Sequence, residues 1–219
     1  MIPSLLAYPV RGSPRLDALV VGGGLHLLAV WLPLAPLVAV AGYLARVLVA
    51  TAAAEPHETA ERPDWRPLGP LLRDGLRLAA TVVGYLTIPV ALLTVTLGGP
   101  LEGIDPTGAT DGLFFIVGTT VSTLLAFALC YPLPAALVAV ARERSLRAAV
   151  DATLVGAATR DAGYLVAVLL AAGGLGMTFA AYDALNAVAL GFFVVFYAEV
   201  VAAAAVGTAT GRAWERRGL

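Results

Sequence analysis

The sequence predicts an all-α fold: a polytopic membrane bundle of six transmembrane helices arranged as three hairpins, with short cytosolic amphipathic helices. Three observations predict it. The 219 residues are 59% hydrophobic and 13% charged, against about 45–50% and about 25% in soluble domains. The apolar residues fall into runs of membrane-crossing length. Every basic residue falls in a connection, or near the end of a run, that alternate crossing puts on one side. A soluble globule of this size has too little interior to hide such a composition, because its surface is already more than half apolar. The mean hydropathy of +0.86 says the same: the surrounding solvent is lipid.

A spanning helix needs about 20 mostly apolar residues, within a range of about 17–25. The runs are residues 17–32, 34–50, 78–97, 113–141, 164–181 and 187–210, within a single membrane domain of residues 1–219. The first two are short and are separated by Pro33 and Pro36. Each proline removes a backbone donor and restricts the residue before it, so the pair either breaks the chain tightly or kinks one long helix.

The arginines distinguish these cases. All 14 basic residues are Arg. Arg11 and Arg15 precede the first run and Arg46 lies near the end of the second. Arg62, Arg66, Arg73 and Arg77 precede the third run. Arg142, Arg144, Arg147 and Arg160 separate the fourth from the fifth, and Arg212, Arg216 and Arg217 follow the sixth. The other connections carry Glu102, Asp105, Asp111 and Asp183. Six spans put every Arg on one side, the cytoplasmic one by the positive-inside rule; five would leave Arg11 and Arg15 outside. The expected protein is therefore a multi-pass component of the cell membrane with both termini cytoplasmic. Trp65 and Trp214 are expected at the inner interface and Trp31 at the outer one. No cleavable signal is expected, since Pro3, Pro9 and Pro14 interrupt the first 16 residues.

The hairpins echo one another weakly: Pro36 to Arg46, Pro134 to Arg142 and Val200 to Gly207 end alike. Leu146, Val150 and Leu154 recur at helical spacing, as in an interfacial amphipathic helix. Residues 54–63, charged and proline-bearing, read as a cytosolic loop.

The chain resembles the archaeal integral membrane proteins grouped as domain-of-unknown-function family 4013. The resemblance rests on Tyr8-Pro9, Gly22-Gly23-Gly24-Leu25, Pro36 and Gly42-Tyr43-Leu44-Ala45-Arg46. It continues through Asp64-Trp65, Arg73-Asp74-Gly75-Leu76, Pro132-Leu133-Pro134 and Gly163-Tyr164-Leu165, over nearly the whole chain. It implies an integral membrane protein of a kind common in haloarchaea, with no assigned activity and no agreed functional residues. A basic set made only of Arg suits a GC-rich genome.

Charges inside a bilayer cost about 2.5–3.5 kcal/mol at a helix centre on insertion scales, so they mark sites by default. Glu199 in the sixth run and His26 in the first are the candidates, with Arg46 a weaker third because it can snorkel to the interface. They read either as a proton- or cation-handling pair facing a polar cavity or as groups satisfied within the bundle. Small residues let membrane helices approach closely, which makes Gly22, Gly23, Gly24, Gly42, Gly84, Gly163, Gly173, Gly174, Gly207 and Gly211 packing positions. The Gly-Tyr pairs at 42–43, 84–85 and 163–164 add a hydroxyl expected at the interface. Pro89, Pro132 and Pro134 interrupt spans three and four, as a kink or as the broken helices of transporter sites.

Several classes are excluded. A net charge of −1 without a basic stripe is no nucleic-acid interface. Cys130 alone forms neither an intramolecular disulfide nor a cysteine zinc site, and no metal or other cofactor is expected. No His-Glu-x-x-His or Gly-x-Ser-x-Gly occurs, and Ser122 would have to meet His26 by chance to form a hydrolase pair. The expected function is non-enzymatic: a membrane binding, accessory or scaffold protein whose partners are the lipid bilayer and another membrane protein or a second copy. The alternative is a small secondary transporter or permease using Glu199 near the midplane.

Overall fold

A computed structural model describes residues 2–10, 17–54, 60–98, 109–186 and 189–219, and all regular structure among them is helical. Helix α1 spans Ile2–Ala7, α2 Asp17–Ala29, α3 Ala35–Ala53, α4 Leu68–Leu93 and α5 Ala109–Cys130. Then come α6 (Leu133–Glu143), α7 (Ala152–Thr159), α8 (Ala162–Ala180), α9 (Tyr182–Asn186) and α10 (Leu190–Glu215). Arg11, Arg15, Glu102 and Asp105 lie outside the described residues.

Five helical stretches are long and apolar enough to cross a membrane: Ala35–Ala53, Leu68–Thr96, Ile116–Glu143, Ala162–Ala180 and Leu190–Glu215. Helix α2 has 13 residues, about 20 Å of rise. The chain leaves helix after Ala29 through a turn holding Trp31, which is 83% exposed. Pro36 then sits in the first turn of α3, where its missing N–H has no helical partner to lose.

α10 is the axis of the bundle, packed by α2, α3 and α8; α4 lies against α3, α6 fills the space among α3, α4 and α10, and α5 packs on α4. The outward faces are apolar, with Val83 and Ile88 of α4, Leu124 and Phe127 of α5 and Leu169 of α8 all exposed. That is the inverse of a soluble surface and the expected wall of a bundle facing lipid.

The fourth run is interrupted where Pro132 and Pro134 predict it: it is two helices, broken at Tyr131 and Pro132, because Pro134 brings no N–H to the ladder and its ring clashes with a preceding carbonyl. The sequence expectations and the structure part at three places. The expected amphipathic helix through residues 146–154 is a 3-10 turn, Leu146–Val150, followed by α7. Asp151 divides them: its carboxylate accepts the Thr153 and Leu154 amides at 2.8 and 3.1 Å, capping a new helix. Trp214, expected at the interface, is buried in the core and donates to the Leu154 carbonyl at 2.8 Å. Arg142 stacks over its ring at 4.8 Å. The charged stretch before the third run is itself helical, forming the first turns of α4 with an Arg77–Asp74 ion pair of 2.7 Å.

Candidate functional site: the His26–Glu199 pair

Helices α2 and α10 meet through glycine. A Cβ on Gly22 would collide with the Phe196 ring, and one on Gly23 with the ring of Phe193. His26 follows Gly22 by one helical turn, and Glu199 follows Phe196 by nearly one. The close approach therefore carries the imidazole to the carboxylate.

The His26 Nδ1 lies 3.0 Å from the Gly22 carbonyl oxygen. A carbonyl only accepts, so Nδ1 carries hydrogen and Nε2 faces Glu199. Nε2 lies 3.3 Å from Oε1 and 3.2 Å from Oε2. Oε1 is in hydrogen-bonding line, whereas Oε2 is buried and off that line. A single proton held by either group would complete this contact. Held by the carboxyl, it is donated to a neutral imidazole; held by Nε2, it makes an imidazolium–carboxylate pair. Both arrangements have zero net charge, which a low-dielectric setting tolerates far better than one isolated ion. Fractional side-chain exposures of 10% for His26 and 22% for Glu199 put the contact largely out of solvent.

An aromatic cluster adjoins the pair. Phe196 packs against His26, with ring centroids 5.9 Å apart, and against Tyr43 and Trp65 at 5.7 and 6.0 Å. Tyr43 stacks on Trp65 at 4.3 Å and 17°. The pair is thus one ring away from the connecting segment before α4. Arg46 holds that segment: its guanidinium donates to the carbonyls of Asp64, Arg66 and Pro67 at 2.5, 2.7 and 2.8 Å. It works as a clamp on backbone, apart from the His26–Glu199 hydrogen bond. Arg62 ties the same segment to α2 through Asp17 at 2.8 Å.

On its other side Glu199 lines a groove of about 570 Å³ among α3, α4, α6, α8 and α10. Leu37, Ala41, Val82, Leu137, Leu175 and Ala203 are typical of its wall, and Glu199 is the ionisable residue among the described lining.

The ten glycines divide. Gly42 approaches the Leu71 carbonyl, Gly207 meets Thr51 and Leu48, and Gly211 meets the Ala52 carbonyl, each too close for a Cβ. Gly163 lies beside the Asp161 carboxylate, whose oxygen would stand 3.0 Å from a Cβ there. Among the described residues nothing lies within 4 Å of a Cβ on Gly24, Gly84, Gly173 or Gly174. Sequence reasoning missed Gly75, which faces the Val38 carbonyl and the Gly42 amide. It also missed Tyr43, Trp65 and Phe196 as the lining of the site. Two of the Gly-Tyr hydroxyls reach backbone: Tyr85 donates to Ala149 at 2.6 Å, and Tyr164 bridges the break between α5 and α6. Tyr43 Oη has no partner among the described residues.

No curated protein and no solved structure matches the chain. A family model described as Protein of unknown function (DUF4013) matches residues 25–185, well over half of the 219. The match takes in His26, Arg46, Trp65, Pro132 and Tyr164. It leaves out Tyr8, the three glycines at 22–24 and the whole of α10 with Glu199, so the likeness is narrower than the motifs suggest. Within these limits the chain belongs to the DUF4013 family.

Proposed function

We propose that this protein is a non-enzymatic, multi-pass protein of an archaeal cell membrane that binds an apolar partner, a helix of another membrane protein or a second copy. One observation carries the reading: the groove beside Glu199 has apolar walls and a single carboxyl already engaged by His26. Such a site offers hydrocarbon contact and one oriented polar group, and its described lining holds no succession of polar side chains that would lead an ion onward. The absence of hydrolase motifs in the sequence supports the non-enzymatic reading.

The proposed topology has six crossings with both termini cytoplasmic. Its support is the segregation of the arginines, and Trp31 exposed at the turn between α2 and α3. α2 is short for a hydrocarbon core of about 30 Å, and a short span is accommodated by local thinning of the bilayer.

The test uses the intact chain in native membranes and in proteoliposomes. Ala203→Trp, which fills the groove, is expected to abolish crosslinking to the partner or second copy while Glu199→Gln preserves it. No proton flux dependent on Glu199 is expected under an imposed pH gradient. The contact of two ionisable groups, His26 with Glu199, favours one competitor, a small secondary transporter. Flux abolished by Glu199→Gln at an unchanged melting temperature would establish that reading in place of ours.

A further inference from the structure

A second groove, built from other elements, holds about 530 Å³ between α4, the end of α5 and the Leu146–Val150 turn. This lies within the range of about 300–1,000 Å³ that small-molecule sites occupy. α4 lines it with Gly84, Ile88 and Pro89, and the turn with Leu146, Ala149 and Val150. Among the described residues nothing lies within 4 Å of a Cβ at Gly84, so the missing side chain leaves space beside the helix. The Tyr85 hydroxyl donates to the Ala149 carbonyl at 2.6 Å and fastens the turn beside the groove. Leu146 and Val150 are 51% and 80% exposed, apolar side chains directed away from the core.

Two arginines adjoin the turn that lines the groove. Arg144 stands at the left-handed end of α6, with φ 51°, and Arg147 lies within the turn. Residues three apart eclipse in a 3-10 helix, so Arg147 shares a face with Val150, which lines the groove. Both arginines are exposed, and neither has an ion-pair partner among the described residues. The neighbouring acids are engaged: Glu143 pairs with Arg142, and Asp151 caps α7.

We propose that this groove binds an anionic phospholipid from the leaflet on the arginine side. One acyl chain lies along Gly84, Ile88 and Val150, and Arg144 and Arg147 hold the phosphate. Charge complementarity selects this occupant. An apolar helix would leave both guanidinium groups without a counter-charge, and a free phosphate would leave the apolar wall uncovered.

The experiment is native mass spectrometry of the full chain in mild detergent, titrated with phosphatidylglycerol or with phosphatidylcholine of identical acyl chains. Two arginines near a lipid surface are expected to favour phosphatidylglycerol about 30-fold. Arg144→Gln with Arg147→Gln, both exposed and harmless to packing, is expected to bring the two lipids to parity. Gly84→Phe, which occupies the vacant space, is expected to weaken both lipids while helicity and melting temperature hold. Equal affinity for the two lipids in the native chain would overturn the proposal. So would a preference that survives the double substitution, or displacement of the lipid by millimolar inorganic phosphate. Should Gly84→Phe fail to fold, Val150→Gln examines the same wall from an exposed position, and undiminished binding there would be equally fatal.

Discussion

The Tyr164 hydroxyl donates to the Tyr131 carbonyl oxygen at 3.0 Å and, at the same distance, accepts the Ala135 amide. In an unbroken helix that amide and that carbonyl would bond each other, being four residues apart. Here a side chain from α8 stands between them and satisfies both. The Tyr131 ring closes edge-on against Tyr164, with centroids 5.4 Å apart at 67°. The prolines that break span four and the tyrosine that opens span five are thereby one structural device, which links two of the motifs within the family match.

Tyr164→Phe therefore strands a buried donor and a half-buried acceptor. It is expected to lower stability by about 1–3 kcal/mol, measured by thermal unfolding in detergent. Tyr85→Phe serves as comparison, since it releases one carbonyl only, and should lose less. Equal losses would refute the bridging role.

The glycine contacts yield opposite signs from one chemical change. Gly42→Ala and Gly75→Ala drive a methyl into facing backbone, which cannot rotate away, and are expected to cost about 1–3 kcal/mol. Gly84→Ala and Gly173→Ala meet open space and raise helix propensity, by up to about 1 kcal/mol. Melting temperatures should fall for the first pair and hold or rise for the second.

For the His26–Glu199 pair, Glu199→Gln keeps an acceptor and the shape, and should leave the melting temperature nearly unchanged. Glu199→Leu leaves Nε2 without its partner and is expected to cost about 1–3 kcal/mol. A double-mutant cycle with His26→Leu should recover a coupling of about 0.5–3 kcal/mol. Strict additivity would mean that the two side chains do not interact.

Acid should loosen the end of the bundle where α8 begins. Burial works to raise the pKa of the Asp161 carboxyl. The Arg216 hydrogen bond and charge, with the Tyr164 and Gly163 amides, outweigh it and hold Asp161 below its usual range. Arg216 donates to Oδ2 at 2.6 Å. A depressed carboxyl stabilises the native state above the unfolded value of about 3.9, and that contribution disappears as pH falls through the lower native value. Melting temperature followed down through pH 3 should drop more steeply in the native chain than in Asp161→Asn, which keeps a cap but loses the titration. Parallel curves would exclude Asp161 as a source of the acid step.

Topology is checked with single cysteines in a Cys130→Ser background. A cysteine at Thr107 is expected to react with an impermeant thiol reagent in intact cells, and one at Thr59 is not. Labelling of both would remove the six-crossing arrangement.

Composition and periodicity by themselves determined the class of this protein. Apolar runs of membrane length admit little besides helices, because a backbone in hydrocarbon must satisfy its own hydrogen bonds. His26 and Glu199 were legible for a related reason: an ionisable side chain in an apolar run is conspicuous wherever it falls. Their meeting was not legible. They stand 173 positions apart, and only the packing of Gly22 and Gly23 against Phe196 and Phe193 sets the distance between them. The same holds for the glycines, since sequence gives Gly42 and Gly84 identical Gly-Tyr contexts while the facing helix decides which of them touches anything. Tyr164 is the clearest case. The chain announces a proline break at residues 132–134 and a tyrosine at 164, but the pairing of a hydroxyl with one freed amide and one freed carbonyl exists only once α8 has docked against that break.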